Sequence, residues 1–182
     1  MSSSVQSNKH SKRPPLTVRE LVIFAMLGAI MFCSKKVMEG LPNIHLVGML
    51  TIAYTVVYRF KALIPIYIYV LLDGLFLGFS LWWAPYLYIW AILWGVTMLI
   101  PKKTPKWLSC IIYPVLCSLH GLFFGTLFAP AHALFYNLSF EQMLAWISAG
   151  LAFDIVHAIG NLVVGLLAFP LVVLLRKLEK HA

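Results

Sequence analysis

Charged residues are scarce in this chain, and acidic residues are the scarcest. Asp, Glu, Lys and Arg make up 11% of its 182 residues, and only six are acidic. Soluble domains contain about 25% charged residues, so this composition excludes an ordinary soluble domain. The 14 Lys and Arg residues give a net charge of +8. Because most of them flank apolar runs, anionic lipid and membrane topology explain them better than nucleic acid does.

Cysteines and the common catalytic motifs are also in short supply. The three cysteines, Cys33, Cys110 and Cys117, lack a C-x-x-C spacing, which indicates small apolar packing residues and no metal site. The chain has no G-x-x-x-x-G-K-[ST] loop, no G-x-S-x-G elbow and no H-E-x-x-H pair. Neither nucleotide hydrolysis nor the commoner hydrolytic reactions can therefore be assigned to it.

Long apolar runs are what the chain does contain, since 62% of its residues are hydrophobic. We predict an all-α membrane protein with six transmembrane helices in a single domain, residues 16–182. A polar, Ser-rich stretch, residues 1–15, is predicted to be a disordered cytoplasmic tail. The six predicted spans are Leu21–Cys33, Leu46–Tyr58, Ala62–Phe79, Trp83–Ile100, Trp107–Phe128 and about Met143–Leu175.

Basic residues set the predicted topology. Cytoplasmic loops beside membrane spans carry an excess of Lys and Arg, and six spans would place four basic clusters on one face. Both termini are therefore predicted to be cytoplasmic. These clusters hold 12 of the 14 basic residues: Lys9, Lys12, Arg13 and Arg19; Arg59 and Lys61; Lys102, Lys103 and Lys106; Arg176, Lys177 and Lys180.

Three helix boundaries carry predictions of their own. Thr17 and Glu20 have the spacing of a capping box, which starts the first helix. The second run is shorter than the roughly 20 residues that a crossing needs, so it must extend through residues 43–46 or remain partly re-entrant. The last run is too long for one straight crossing, and Gly150 and Pro170 are its natural break points.

Two segments, Ser34–His45 and Pro130–Gln142, are predicted to be outer loops long enough to act as lids. Their histidines, His45 and His132, are expected to be solvated. Aromatic residues gather near the same face. For Trp82 and its neighbour Trp83, an interfacial aromatic belt and a ligand-binding role are both open. The residues predicted to line a cavity are Trp83, Tyr86 and Trp90.

Polar side chains inside the predicted spans are the strongest functional signal. A carboxylate at a helix centre costs about 2.5 to 3.5 kcal/mol, so such groups usually face a bundle interior or a watery cavity. Those on the sixth span are three and four residues apart and therefore share one helical face. A ligand pocket and structural hydrogen bonding between helices are both open readings. The residues are Asp73, His120, Asp154, His157 and Asn161.

Small residues predict close helix packing. Gly74 with Gly78, and Gly121 with Gly125, have the G-x-x-x-G spacing that lets two helices approach closely. The first helix has a similar stripe in Ala25-x-x-x-Ala29.

These features together resemble the substrate-binding S components of energy-coupling factor (ECF) transporters. The resemblance covers nearly the whole chain. It depends on six spans with both ends inside, the Ala25-x-x-x-Ala29 stripe, the segment Leu41-Pro42-Asn43 and the run from Phe153 to Asn161.

The resemblance implies a bacterial plasma-membrane protein that binds a vitamin, with cobalamin as the favoured substrate and riboflavin, a folate or a queuosine precursor as alternatives. It implies no enzymatic activity of its own, because a coupling membrane subunit and two ATPase subunits would power transport. Ala25 and Ala29 would contact the coupling subunit. The polar and aromatic residues above would bind the substrate, and a lid containing Met38, Asn43 and His45 would cover it.

Two functions of other classes remain open. His120 and His157 on neighbouring spans would ligate the iron of a haem in an electron-transfer protein. Asp73 and Asp154 would form the carboxylate pair of an intramembrane aspartyl enzyme. The haem alternative gives the lid-like segments no obvious use, and the wider sequence context of intramembrane aspartyl proteases is missing.

Overall fold

The computed structural model describes residues 16–41 and 43–181, so the predicted disordered tail lies outside the described residues. Within these ranges the chain forms eight α-helices and one 3-10 helix, and no β-strand. The all-α prediction is confirmed. The helices are α1 Val18–Val37, α2 Val47–Tyr58, the 3-10 helix Arg59–Ala62, α3 Leu63–Leu77, α4 Tyr86–Met98, α5 Lys106–Leu122, α6 Phe124–Tyr136, α7 Phe140–Gly165 and α8 Ala168–His181.

Among the described residues, three helical stretches are long and apolar enough to cross a membrane. They are Val47–Leu77, Lys106–Tyr136 and Phe140–Gly165, and Tyr86–Met98 is a shorter apolar helix. Many large apolar side chains on the outside of the bundle are exposed, such as Leu75 and Phe153. In water such a surface would be costly, whereas lipid accommodates it.

The helix α1 begins where the sequence predicts. The backbone N–H of Glu20 donates to Thr17 Oγ1 at 3.2 Å, and the N–H of Thr17 donates to Glu20 Oε2 at 3.0 Å. The capping box is therefore confirmed. At its other end α1 continues to Val37, so residues 34–37 are helical and the predicted lid is shorter than expected.

The helix α2 lies in the centre of the bundle, in contact with α1, α4, α5, α7 and α8. Its 12 residues span about 18 Å, and it begins at Val47 without extending through residues 43–46. It ends at Arg59, which has a φ of 54°. The Arg59 guanidinium donates to the carbonyls of Met98 at 2.6 Å and Ile100 at 3.3 Å, which ties this turn to the end of α4.

Helix boundaries in the second half differ from the predictions. The fifth run is divided at Phe123 into α5 and α6, and α6 continues through Pro130 to Tyr136. The predicted lid at Pro130–Gln142 is therefore wrong, because only residues 137–139 connect α6 to α7. The prediction of a break at Gly150 is also wrong, since α7 is continuous there. Its break falls at residues 166–167, shortly before Pro170, which occupies the first turn of α8.

Glycines permit close contacts between helices. The prediction is confirmed for Gly121 and Gly125, whereas Gly74 and Gly78 do not make the predicted helix contact. A Cβ on Gly121 would lie 2.9 Å from the backbone oxygen of His157, and one on Gly125 would collide with the Asp154 carboxylate. The first pair thus brings α5 and α6 against α7. Gly74 instead faces the side chains of Phe79 and Trp83, and Gly78 ends α3 with a φ of 87°.

Charged residues from distant parts of the chain meet at one end of the bundle, which we call the basic end. Lys61 pairs with Glu20, joining the α2–α3 junction to the start of α1. Glu179 near the end of α8 interacts electrostatically with Arg176, Glu20 and Lys61. The start of α1 and the end of α8 therefore lie at the same end of the bundle.

Candidate functional site

Trp90 is the centre of a buried aromatic and histidine cluster. Its side chain is 2% exposed. Five rings have their centroids 5.5 to 6.0 Å from that of Trp90, and His157 joins them through ring contacts of 5.0 Å with both His45 and Phe124. The resulting Trp90 cluster consists of His45, Tyr69, Tyr86, Trp90, His120, Phe124 and His157.

The members of the Trp90 cluster come from six different parts of the chain. Tyr69 lies on α3, Tyr86 and Trp90 on α4, His120 on α5, Phe124 on α6 and His157 on α7, while His45 lies in the segment between α1 and α2. Tyr86 and Trp90 are four residues apart, so the helical period turns both towards the same interior space. The fold thus gathers at one point side chains that are far apart in the sequence.

Several polar atoms of this cluster are buried without a hydrogen-bond partner in the described part of the chain. They are His45 Nδ1, Tyr69 Oη, Trp90 Nε1, His120 Nε2 and His157 Nε2. Buried polar groups in proteins are nearly always hydrogen-bonded, and leaving one unpaired costs about 1 to 3 kcal/mol. Five such atoms, one on Trp90 and four on the rings beside it, leave unused hydrogen-bonding capacity at this point of the fold.

His45 is not solvated as the sequence suggested. Its Nδ1 atom is buried, and its ring packs against those of Trp90 and His157. Burial, together with nearby His157 and Lys35, lowers the pKa of His45 to about 3. The imidazole is therefore neutral at pH 7.

The described part of the segment between α1 and α2, residues 38–41 and 43–46, packs against the Trp90 cluster and α7. Met38 caps the end of α1. Asn43, with a φ of 58°, donates from Nδ2 to the carbonyl of Phe153 on α7 at 3.5 Å. Ile44 packs on Gly160, where an added Cβ would lie 3.0 Å from its side chain. The three predicted lid residues thus lie in a segment that is folded down onto α7.

Asp73 is paired with a residue that the sequence analysis did not assign to the site. Lys35 Nζ lies 2.9 and 3.0 Å from the two carboxylate oxygens of Asp73, whose side chain is 2% exposed. The same ammonium lies 4.7 Å from the ring centroid of Tyr86 and 5.8 Å from that of Tyr69. This ion pair therefore borders the Trp90 cluster and joins α1 to α3.

Two other predicted residues on α7 bind neighbouring helices. Asp154 Oδ1 accepts a hydrogen bond from the backbone N–H of Gly125 at 3.0 Å. Asn161 is fully buried and donates from Nδ2 to the carbonyl of Cys117 at 3.2 Å, while its Oδ1 has no partner among the described residues. Asp154 thus connects α7 to α6, and Asn161 connects α7 to α5. The two residues lie on either side of His157 along α7.

Trp83 precedes α4, which begins at Tyr86, and its side chain lies beside α3. Its indole N–H donates to the carbonyl of Val70 at 2.7 Å, and its ring packs edge-on against Phe79 at 4.9 Å. Trp83 thereby covers Gly74, one residue after Asp73. Of the three aromatic residues predicted to line a cavity, Tyr86 and Trp90 belong to the Trp90 cluster, and Trp83 packs against Phe79 instead.

His132 belongs to a second aromatic group and not to a loop. It lies in α6 and stacks on Trp146 at 4.7 Å, with the ring of Tyr136 4.6 Å away. Trp82 and Phe128 complete this group, in which Trp82 remains 56% exposed, as expected for an interfacial residue.

The small-residue stripe of α1 faces away from α3. Gly28 makes the close contact with α3, where an added Cβ would lie 2.9 Å from the carbonyl oxygen of Pro65. Ala25 is exposed and Ala29 partly exposed. Their neighbours Met26 and Ile30 are exposed too, so this side of α1 presents an apolar surface.

Three residues of the site were missed by sequence reasoning: Lys35, Tyr69 and Phe124. The pairing of Lys35 could have been recognised from the sequence. A lysine at the end of an apolar helix needs a partner, and Asp73 is a carboxylate within a predicted span. Tyr69 and Phe124 carry no comparable signal, since aromatic residues are common throughout the apolar runs.

No group of three or more His, Cys, Asp or Glu side chains in residues 16–41 and 43–181 is arranged to hold a metal ion. Comparisons with family models, with curated proteins and with solved structures found no match.

Proposed function

We propose that this chain is the substrate-binding membrane subunit of an ECF-type importer and that its substrate is a vitamin or related micronutrient. The observation that carries this proposal is the group of five unpartnered polar atoms on and around Trp90, against which His45 packs from the segment between α1 and α2. A few convergent polar groups among apolar and aromatic side chains are the usual lining of small-molecule sites. A covering segment that must lift to admit a ligand suits capture from solution.

The proposed topology is six spans with both termini in the cytoplasm of a bacterium. The meeting of Glu20, Lys61 and Glu179 supports an even number of crossings, because α1 starts where α8 ends. Arg59 and the end of α4 lie at the same end. With the basic end cytoplasmic, the Trp90 cluster and its covering segment face outwards.

The proposed partners are a coupling membrane subunit and two ATPase subunits. The absence of a phosphate-binding loop from the sequence is compatible with hydrolysis of ATP by other chains. The exposed side of α1 with Ala25 and Ala29 is the proposed contact with the coupling subunit, since small side chains allow helices to approach closely.

Cobalamin is the substrate that the sequence resemblance favours, and riboflavin, a folate and a queuosine precursor are the other candidates. Each offers both polar edges and extended ring faces. The Trp90 cluster supplies matching groups, with imidazole nitrogens for the polar edges and indole and phenyl rings for the faces.

The alternative functions receive less support. A haem ligated by His120 and His157 would require Phe124 to move, because its ring lies 6.0 and 5.0 Å from theirs. The two aspartates each have a separate partner, Lys35 for Asp73 and the Gly125 backbone for Asp154. An aspartyl enzyme needs two carboxylates that share one site.

An absorption spectrum from about 300 to 650 nm of the detergent-purified protein, with mass spectrometry of the extracted small molecules, tests these readings. Cells are grown with a mixture of vitamins. A vitamin recovered with the protein supports the proposal, and corrin bands would identify cobalamin. A Soret band that sharpens on reduction would replace the proposal by the haem reading, and an extract without any ligand would contradict it.

A further inference from the structure

From the chemistry of the Trp90 cluster we infer a narrower substrate class: an uncharged, planar nitrogen heterocycle with hydrogen-bond donors and acceptors along its edge. This inference depends on the proposed binding function and goes beyond it, because it excludes charged ligands and disfavours a corrin.

Electrostatics is the first argument. Lys35 and Asp73 neutralise each other at the border of the cluster. His45 is neutral. Asp154 is the acidic residue nearest to His157 in the sequence, and its carboxylate accepts a hydrogen bond from the backbone of Gly125. A buried imidazolium without a counter-charge is costly, so His120 and His157 are neutral as well. A cationic ligand would meet Lys35, and an anionic one would have to displace Asp73 from it.

Hydrogen-bonding capacity is the second argument. Each neutral imidazole has one donor and one acceptor nitrogen, the Tyr69 hydroxyl both donates and accepts, and the Trp90 indole donates. All five atoms are unpartnered within the described ranges. A ligand that satisfies them must itself offer donors and acceptors at several points, as ring nitrogens, amino groups and lactam carbonyls do.

Shape is the third argument. Neighbouring rings of the cluster have centroids 5.0 to 6.4 Å apart and mostly meet edge to face. The ring faces of Phe124 and Trp90 offer stacking surfaces for another flat ring. His45 is the member of the cluster that lies outside the helices, so a flat ligand would enter this packing where the His45 ring lies.

Isothermal titration calorimetry on protein from cells grown without the probes tests the inference. Riboflavin and guanine are the flat, uncharged probes, while thiamine supplies a cation, biotin an anion and cyanocobalamin a corrin. We expect a flat, uncharged probe to bind. His157→Gln and His45→Gln should each weaken this binding about tenfold or more, because a buried hydrogen bond to the ligand is lost.

His132→Gln is the matched control, since His132 is also packed among aromatic rings but lies outside the cluster. It should change the affinity less than twofold. His45→Gln keeps the test valid if His157→Gln fails to fold, because His45 lies outside the helices.

The outcomes separate the two proposals. Binding of thiamine, biotin or cyanocobalamin and of no flat, uncharged probe overturns the substrate class but leaves the binding function. A flat probe whose affinity is unchanged in both cluster variants overturns the assigned site. If no probe binds but the purified protein carries a charged or non-planar vitamin, only the substrate class fails. If no probe binds and no ligand is extracted, both proposals fail.

Discussion

The contribution of the Lys35–Asp73 ion pair to stability can be tested by substitution. Lys35→Met leaves the buried Asp73 carboxylate without a counter-charge, which costs roughly 3 kcal/mol. For a chain of this size we expect the apparent Tm in detergent to fall by roughly 6 to 12 °C, measured by intrinsic fluorescence.

Lys36 provides the control, because it pairs with the exposed Glu39. Lys36→Met should shift the Tm by no more than about 2 °C, since exposed ion pairs contribute little. The double variant Lys35→Met with Asp73→Leu should recover most of the loss, because apolar groups can replace a buried pair. An unchanged Tm in Lys35→Met alone would refute this account of the pair.

His45, a half-buried residue whose Nδ1 atom is fully buried, leads us to expect a pH dependence of stability. Burial, His157 and Lys35 lower its pKa in the folded chain from 6.5 to about 3, so the unfolded chain binds the proton more readily. Stability is therefore greatest above pH 6.5 and declines as the pH falls towards 3. Between pH 6.5 and 5 this group alone accounts for up to about 2 kcal/mol.

The measurement is the Tm at a series of pH values for the wild type and for His45→Gln. We expect the variant to lose less stability than the wild type on acidification, while His132→Gln retains the slope of the wild type. Equal slopes in His45→Gln and the wild type would mean that His45 is not buried as a neutral group.

The polar residues of the site could be predicted where local spacing reveals them. His120 and His157 stand out as polar side chains in apolar runs, and both belong to the Trp90 cluster. The resemblance assigned His45 to a lid, but the burial of its Nδ1 atom against Trp90 and His157 could not be predicted, because nothing in its local sequence shows that the segment folds back onto α7. The pairing of Lys35 with Asp73 spans 38 positions, beyond the reach of helical periodicity.

Among the helices, α5 and α7 make the contact most sensitive to added volume. A Cβ on Gly165 would lie 2.7 Å from Pro114 Cα, a backbone atom that cannot easily move. Gly165→Ala should therefore destabilise the protein by about 1 to 3 kcal/mol. Thermal unfolding in detergent measures the effect.

Gly150→Ala is the matched control on the same helix, because its added Cβ would have no neighbour within 4 Å. Alanine is the better helix former, so this variant should be neutral or more stable by about 0.5 to 1 kcal/mol. Opposite signs for the two variants are the expected result. A stable Gly165→Ala variant would show that the two helices do not pack as closely as described.

Helix content was more predictable than helix ends. Composition and run length predict the helices, and the Thr17 capping box gives the start of α1 correctly. An equivalent signal, Ser139 with Gln142, marks the start of α7 and could have been recognised. Pro130 misled the prediction because the helix tolerates it: the Tyr88 hydroxyl donates to the carbonyl of Leu127, in the turn that Pro130 disrupts.

For the molecule as a whole, the proposed topology places the covering segment and the basic end on opposite sides of the membrane. Glu39 and Lys103 are exposed and lie at these two ends. In a variant without the natural cysteines, we expect Glu39→Cys to react with a membrane-impermeant maleimide in intact cells. Lys103→Cys should react only after permeabilisation, and equal labelling of both in intact cells would contradict the topology.

The proposed function places a vitamin-like ligand in the Trp90 cluster, and native mass spectrometry of the detergent-purified protein would detect that ligand. We predict one ligand per chain in the wild type and in His132→Gln, and loss of this ligand in His157→Gln at the same protein concentration. A protein without any bound small molecule, or one that carries the same ligand equally well in His157→Gln, would contradict the claim.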